Sequence, residues 1–187
     1  MRIKNLWPVA GVIALATSYA LTACSSGPES SGSDGSRVKF YSSVSDLAAD
    51  STIVITGTVE EQHTATDLDD PVASFTISTV TVVAAPKGAS LAPEAAIEVR
   101  QLGSVKQVGP APAPLLTVGT AYLLYLTASG LSGALASQYY VTGSDAGLCE
   151  APSPAIAANG RTSFTQMKPD RGDRFPPAIT LNNALGD

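Results

Sequence analysis

Side chains able to carry chemistry are scarce in this chain. Its 187 residues hold one histidine, two cysteines and one tryptophan. A single imidazole excludes metal centres that need two, and any Ser-His-Asp triad would have to run through His63. Charged residues make up only 14% of the chain, and 11 Lys and Arg against 16 Asp and Glu give a formal charge of −5. Losing Arg2 and Lys4 with a cleaved leader would make the remainder more acidic still. The acidic balance and the lack of basic clusters argue against nucleic acid as a partner, because phosphate binding needs clustered cations. Adsorption to anionic lipid heads is disfavoured for the same reason. No G-x-S-x-G elbow, phosphate-binding loop or dinucleotide fingerprint occurs anywhere in the sequence.

What is present begins at the amino terminus. Arg2 and Lys4 precede an apolar run centred on Val9 to Ala16, and small residues lead up to Cys24. A cationic start, an apolar middle and a small-residue end form the three-part layout of an export signal. Leu21, Thr22, Ala23 and Cys24 resemble the lipobox of bacterial lipoproteins. The resemblance implies cleavage between Ala23 and Cys24. It also implies a diacylglyceryl group on the Cys24 thiol, with acyl chains such as palmitate holding the protein on the outer side of the cell membrane. Each buried methylene contributes about 0.8 kcal/mol, so two or more chains give lasting attachment. The rivals are a transmembrane anchor, which Pro8, Thr17, Ser18 and Thr22 dilute, and an ordinary secreted protein with a chance cysteine.

Four regions follow from composition: a signal over residues 1–23, a Gly/Ser tether over 24–36, a β-domain over 37–150 and a Pro-rich tail over 151–187. The tether, with few apolar residues, cannot offset its ordering entropy. Ser43 and Asp46 fit a capping box, so a helix of one or two turns is expected there. Thr52–Gln62 alternates as a strand rich in β-branched residues, with Gly57 marking a bend or a close backbone approach. Val72–Ala84 is a second strand whose phase slips between Ile77 and Val80, and a bulge or strong coil near Ser78-Thr79 would put both inward. Ile97–Leu102, Ala121–Thr127, Gln138–Thr142 and Gly147–Glu150 complete the set, and the YLLYL strand is apolar enough to be covered on both faces. The expected fold is mainly β: a single small antiparallel barrel or sandwich, OB-like, with one short N-terminal helix and an irregular C-terminal tail. Ser51–Val59, Val80–Gly88 and Gly119–Leu126 resemble pieces of OB-like, netrin-module-like domains of bacterial surface proteins. That resemblance implies a fold and a binding style, and it carries over no functional residue.

The candidate sites are few. Asp67, Asp69 and Asp70 form an acidic loop with the oxygen ligands calcium prefers, although EF-hand spacing is absent and a solvated hairpin loop is the plainer reading. His63 beside Glu60 and Glu61 reads as a solvated strand end. Tyr125, Tyr139 and Tyr140 are candidates for a binding surface, alternation placing one residue of each tyrosine pair outward. With Cys24 acylated, Cys149 has no partner; a small buried residue is expected, against intermolecular pairing or a reactive thiol. Arg171-Gly172-Asp173 spells an adhesion tripeptide but equally a simple turn.

The expected function is an anchored, non-enzymatic module that binds a protein, a peptide or an envelope component, with no nucleic-acid partner and no cofactor beyond the lipid. The rivals are an envelope hydrolase or calcium-dependent enzyme using carboxylates near Asp67 to Asp70, and a structural spacer. Mass spectrometry of the protein from its native membrane should show Cys24 as the first residue, carrying acyl chains; a retained leader or an unmodified thiol would overturn the placement.

Overall fold

A computed structural model describes residues 39–66, 73–105, 113–153 and 160–186. Among the described residues, regular structure begins where the capping residues predict it. Helix α1 spans Val44–Asp50, and the Ser43 hydroxyl accepts a hydrogen bond from the Asp46 amide at 3.1 Å. Val44, Leu47 and Ala48 form its buried stripe. Its far end is capped from a distance: the Lys87 ammonium donates to the carbonyls of Ala48 and Ser51 at 2.8 and 2.6 Å. A cation on the carbonyls at the C-terminal end of a helix adds hydrogen bonds there and complements the helix dipole.

Five strands close into a barrel: β1 (Ile53–Thr66), β2 (Ser74–Lys87), β3 (Ala96–Leu102), β4 (Ala121–Ala128) and β5 (Gln138–Val141). The order around the ring is β1-β2-β3-β5-β4, and β4 pairs back onto β1. All of these pairings are antiparallel except β3 with β5. This is the Greek-key closure of an OB-like barrel. Three short strands extend the sheet: β6 (Leu148–Glu150) pairs with β4, β7 (Ser163–Gln166) with β6, and β8 (Ile179–Thr180) with β7.

Alternation along β4 separates two cores. Tyr122, Leu124 and Leu126 point into the barrel, where they meet Ile55, Val59, Val80, Val82, Val99 and Leu148. Ala121, Leu123 and Tyr125 point outward into a second apolar layer, roofed by Tyr41, Val44 and Leu47 on one side and Phe164, Ile179 and Ala184 on the other. All six residues from Ala121 to Leu126 are buried, as a strand covered on both faces requires. One end of the barrel is polar. There the Gln62 amide donates to Ser78 Oγ and to the Leu116 carbonyl, while Gln101 accepts from the Leu116 amide and donates to the Pro114 carbonyl. Two glutamines thus stitch the segment before β4 across the opening, so that buried backbone groups keep their partners.

Several expectations change in detail. The first strand does not stop at Gln62; it continues through His63 to Thr66, paired with β2 as far as Ser74. The phase slip in β2 is not resolved by a bulge at Ser78-Thr79, since β2 pairs with β3 without interruption there. The extra residue is Glu60 on the facing strand, between the pairs Val59–Val80 and Glu61–Thr79. Val80 and Val82 face the interior, while Ile77, also fully buried, lies on the other face in register with Arg100. The C-terminal part is largely irregular, as its prolines dictate, yet it is not loosely packed. Phe164, Ile179 and Ala184 are at most 1% exposed, and the Tyr125 hydroxyl donates to the Ala184 carbonyl at 2.8 Å.

Gly57 is required by close approach. A Cβ there would sit 2.6 Å from Val80 Cγ1 and 2.7 Å from the Thr81 carbonyl oxygen, so β1 and β2 would have to separate where the register already shifts. Gly57→Ala should lower unfolding free energy by about 1–3 kcal/mol, read by urea denaturation, and an unchanged midpoint would refute this account of the bend.

Candidate functional site

The ring order places β4 across the barrel from β2 and β3, so the α1 and C-terminal layer covers one flank and leaves the outer face of β2, β3 and β5 as a surface. Two rows of side chains cross that face in register. One is His63, Ile77, Arg100 and Tyr140; the other is Glu61, Thr79, Glu98 and Gln138. Arg100 is only 3% exposed although it points away from the barrel. Its guanidinium stacks over the Phe75 ring at 3.9 Å, and its Nη1 makes a long 3.4 Å contact with Gln138 Oε1. Gln138 in turn donates to Glu98 Oε2 at 3.0 Å. Burying a guanidinium is costly unless it gains partners, and the Phe75 face and the Gln138 amide are two of them. The result is a pre-organised plate of ring, guanidinium and amide, with Tyr140 at its edge. Arg100 and Gln138 are themselves buried, so what this arrangement presents to a partner is the half-buried Phe75, Glu98 and Tyr140 beside them.

The residues singled out from sequence fall in different places. Ala23 and Cys24, and likewise Asp67, Asp69 and Asp70, lie outside the described residues. Tyr140 is the outward member of its pair, half-buried beside Arg100. Tyr139 is its inward partner and packs against the barrel core, so it does not belong to the surface. Tyr125 is also removed from the surface. It points outward from the barrel as alternation requires, but the C-terminal segment covers it completely. His63 is exposed, on a strand rather than in a turn. In Arg171-Gly172-Asp173, the Asp173 carboxylate accepts from the Tyr41 amide at 2.9 Å and Asp170 holds the Gly172 amide, so the tripeptide is a turn that fastens the start of the domain. Arg100 and Phe75 were not legible as a site. Arg100 reads in sequence as an ordinary outward strand residue, and only its cross-strand neighbours reveal the stack.

An open cleft of about 240 Å³ lies between α1 and the C-terminal segment, lined by Ser43, Ser45, Arg174 and Asn183 among others. The Asn183 side-chain oxygen is already engaged by the Thr180 amide and hydroxyl. Among the described residues, no three His, Cys, Asp or Glu side chains come together as a metal-binding group, and no helix is long and apolar enough to cross a membrane. No protein-family model and no curated protein matches the sequence.

Cys149 is free and fully buried in the outer apolar layer. Burial pushes its thiol up from 9.0 to about 12, because the thiolate would lose its hydration there. Burial, and secondarily the nearby Cys149, also raises the Tyr125 phenol. The folded state therefore keeps a proton that the unfolded chain loses above pH 9, so stability falls as pH rises from about 9 to about 12. One such group gives a slope of about 1.4 kcal/mol per pH unit. Cys149→Ala should flatten the alkaline limb of a reversible unfolding profile by roughly this slope, and an unchanged limb would show the thiol ionising freely in the fold.

Proposed function

We propose that this chain is an exported lipoprotein, held on the outer side of the cell membrane through Cys24, whose β-domain binds a protein, a peptide or an envelope component. The observation that carries this reading is the stiffened outer face of β2, β3 and β5, where the Phe75–Arg100 stack supports Tyr140. Aromatic and arginine side chains held in fixed positions are effective contact groups, because little side-chain entropy remains to be lost on binding.

The route of the chain agrees with this. The Tyr41 carbonyl accepts from the Arg174 amide at 2.9 Å, and the Tyr41 amide donates to Asp173. The chain therefore enters the domain within the layer that covers β4. The first described residues thus occupy the flank that the C-terminal segment also covers, and not the β2–β3–β5 face. The likeness of the strand pieces to netrin-module-like domains points to the same style of surface binding.

The test uses the lipidated chain recovered from intact envelopes. A stoichiometric partner should co-purify, and Tyr140→Ala should weaken its retention about tenfold, the effect of losing one well-packed aromatic contact. Retention unaffected by this substitution, or no partner together with turnover of an envelope substrate, would overturn the reading.

A further inference from the structure

The β1–β2 arm carries a second feature, distinct from the plate. Pairing of β1 with β4 ends at Thr58–Ala121, and the last bonds on that side join Val59 to Thr120 and Gly119 at 3.1 and 2.8 Å. Beyond them β1 runs on from Glu60 to Thr66, bonded to β2 along one edge only; among the described residues no backbone group bonds to the other edge. Seven residues of strand span about 23 Å, and their outward amides and carbonyls form a template for another strand. Glu60, Glu61, His63, Thr64 and Thr66 are exposed.

The sign of the arm decides what fits. Over the described residues of the arm, 53–66 and 74–86, the sequence carries two acids, Glu60 and Glu61, both beside the open edge, and no Lys or Arg. A second copy of the chain would bring another arm of the same sign alongside, and like charges on neighbouring strands repel. An extended segment bearing Lys or Arg would pair its backbone with the edge and its cations with the glutamates. The bulge at Glu60 in the β1–β2 ladder directly follows the last residues of β1 that bond toward β4, so the open edge begins at it.

We propose that the edge of β1 over Glu60–Thr66 is a strand-addition site for an extended basic peptide segment of a partner protein. This deepens the reading of the domain as a binding module and rests on it. Backbone hydrogen bonds supply the affinity in such a site, and side-chain charge selects the partner.

The probes are a capped heptapeptide alternating Lys with Val and Thr, and its twin with Glu in place of Lys, each added to the purified chain. Amide hydrogen exchange within residues 60–66 should slow about tenfold at saturating lysine peptide and stay unchanged with the glutamate twin. Replacing both acids, Glu60→Lys with Glu61→Lys, should weaken the lysine peptide about fivefold and favour the twin, as cross-strand charge pairs dictate. Both positions are exposed, so the variant should melt as the parent does. Unslowed exchange at 60–66 with the lysine peptide, an equal response to both peptides, or protection confined to the Tyr140 face would each overturn the proposal. Loss of partner retention in Tyr140→Ala reports on the other face, so the binding-module reading can stand where strand addition fails.

Discussion

The architecture depends on one strand being apolar on both sides. Six consecutive buried residues, Ala121 to Leu126, force β4 to have cover above and below. Barrel closure supplies one cover, with β1 and β5 bringing Ile55, Val59 and Val141 around the inward residues. The other has to come from outside the barrel, and the chain provides it from both ends, α1 before the barrel and β7 and β8 after it. Burying Leu123 and Tyr125 between these layers contributes on the order of 2 kcal/mol per side chain. A proline-rich segment that would otherwise stay extended is therefore held in place by the apolar side chains it carries.

That arrangement also explains where polar groups are tolerated. The Tyr125 hydroxyl, deep in the outer layer, is satisfied by a carbonyl of the C-terminal segment. Gln62 and Gln101 satisfy the backbone that crosses the barrel mouth. Ser51, Thr127 and Thr142 share hydroxyl contacts at the other side of β4. In each case a buried donor or acceptor finds its partner on an element distant in sequence, so these bonds specify how the layers register against each other.

The two proposed contact surfaces arise from the same asymmetry. Covering β4 and its flank consumes both ends of the chain, and nothing among the described residues provides an equivalent layer over β2, β3 and β5. Those strands solve their own burial locally: Arg100 lies on Phe75, and Ile77, in the same row as Arg100 and Tyr140, is fully buried. The β1–β2 arm outruns its partner β4, which leaves an edge whose acids discourage self-association. Surface and edge are separate features of one hairpin, since β1 offers its backbone while β2 offers its side chains.

Local pattern was enough to place α1 and the six strands through Leu148–Glu150, because alternation, capping chemistry and glycine placement act within a few residues. It was enough, too, for Gly57, where the absence of a side chain announces a close approach. The bulge expected in β2 does not occur: Ile77 and Val80 keep opposite faces, both buried, and the extra residue, Glu60, belongs to β1, which pairing alone decides. Tyr125 left the candidate surface because alternation gives direction without saying what lies beyond, and a distant segment covers it; Tyr139 turns inward, as alternation requires of one member of its pair, and packs half-buried against the barrel core. Periodicity and composition are properties of neighbours along the chain, so they determined the strands, the short helix and the mainly β class. The β1-β2-β3-β5-β4 order, the roof over β4, the Arg100 stack and the open β1 edge are properties of neighbours in space, and only long-range packing could decide them.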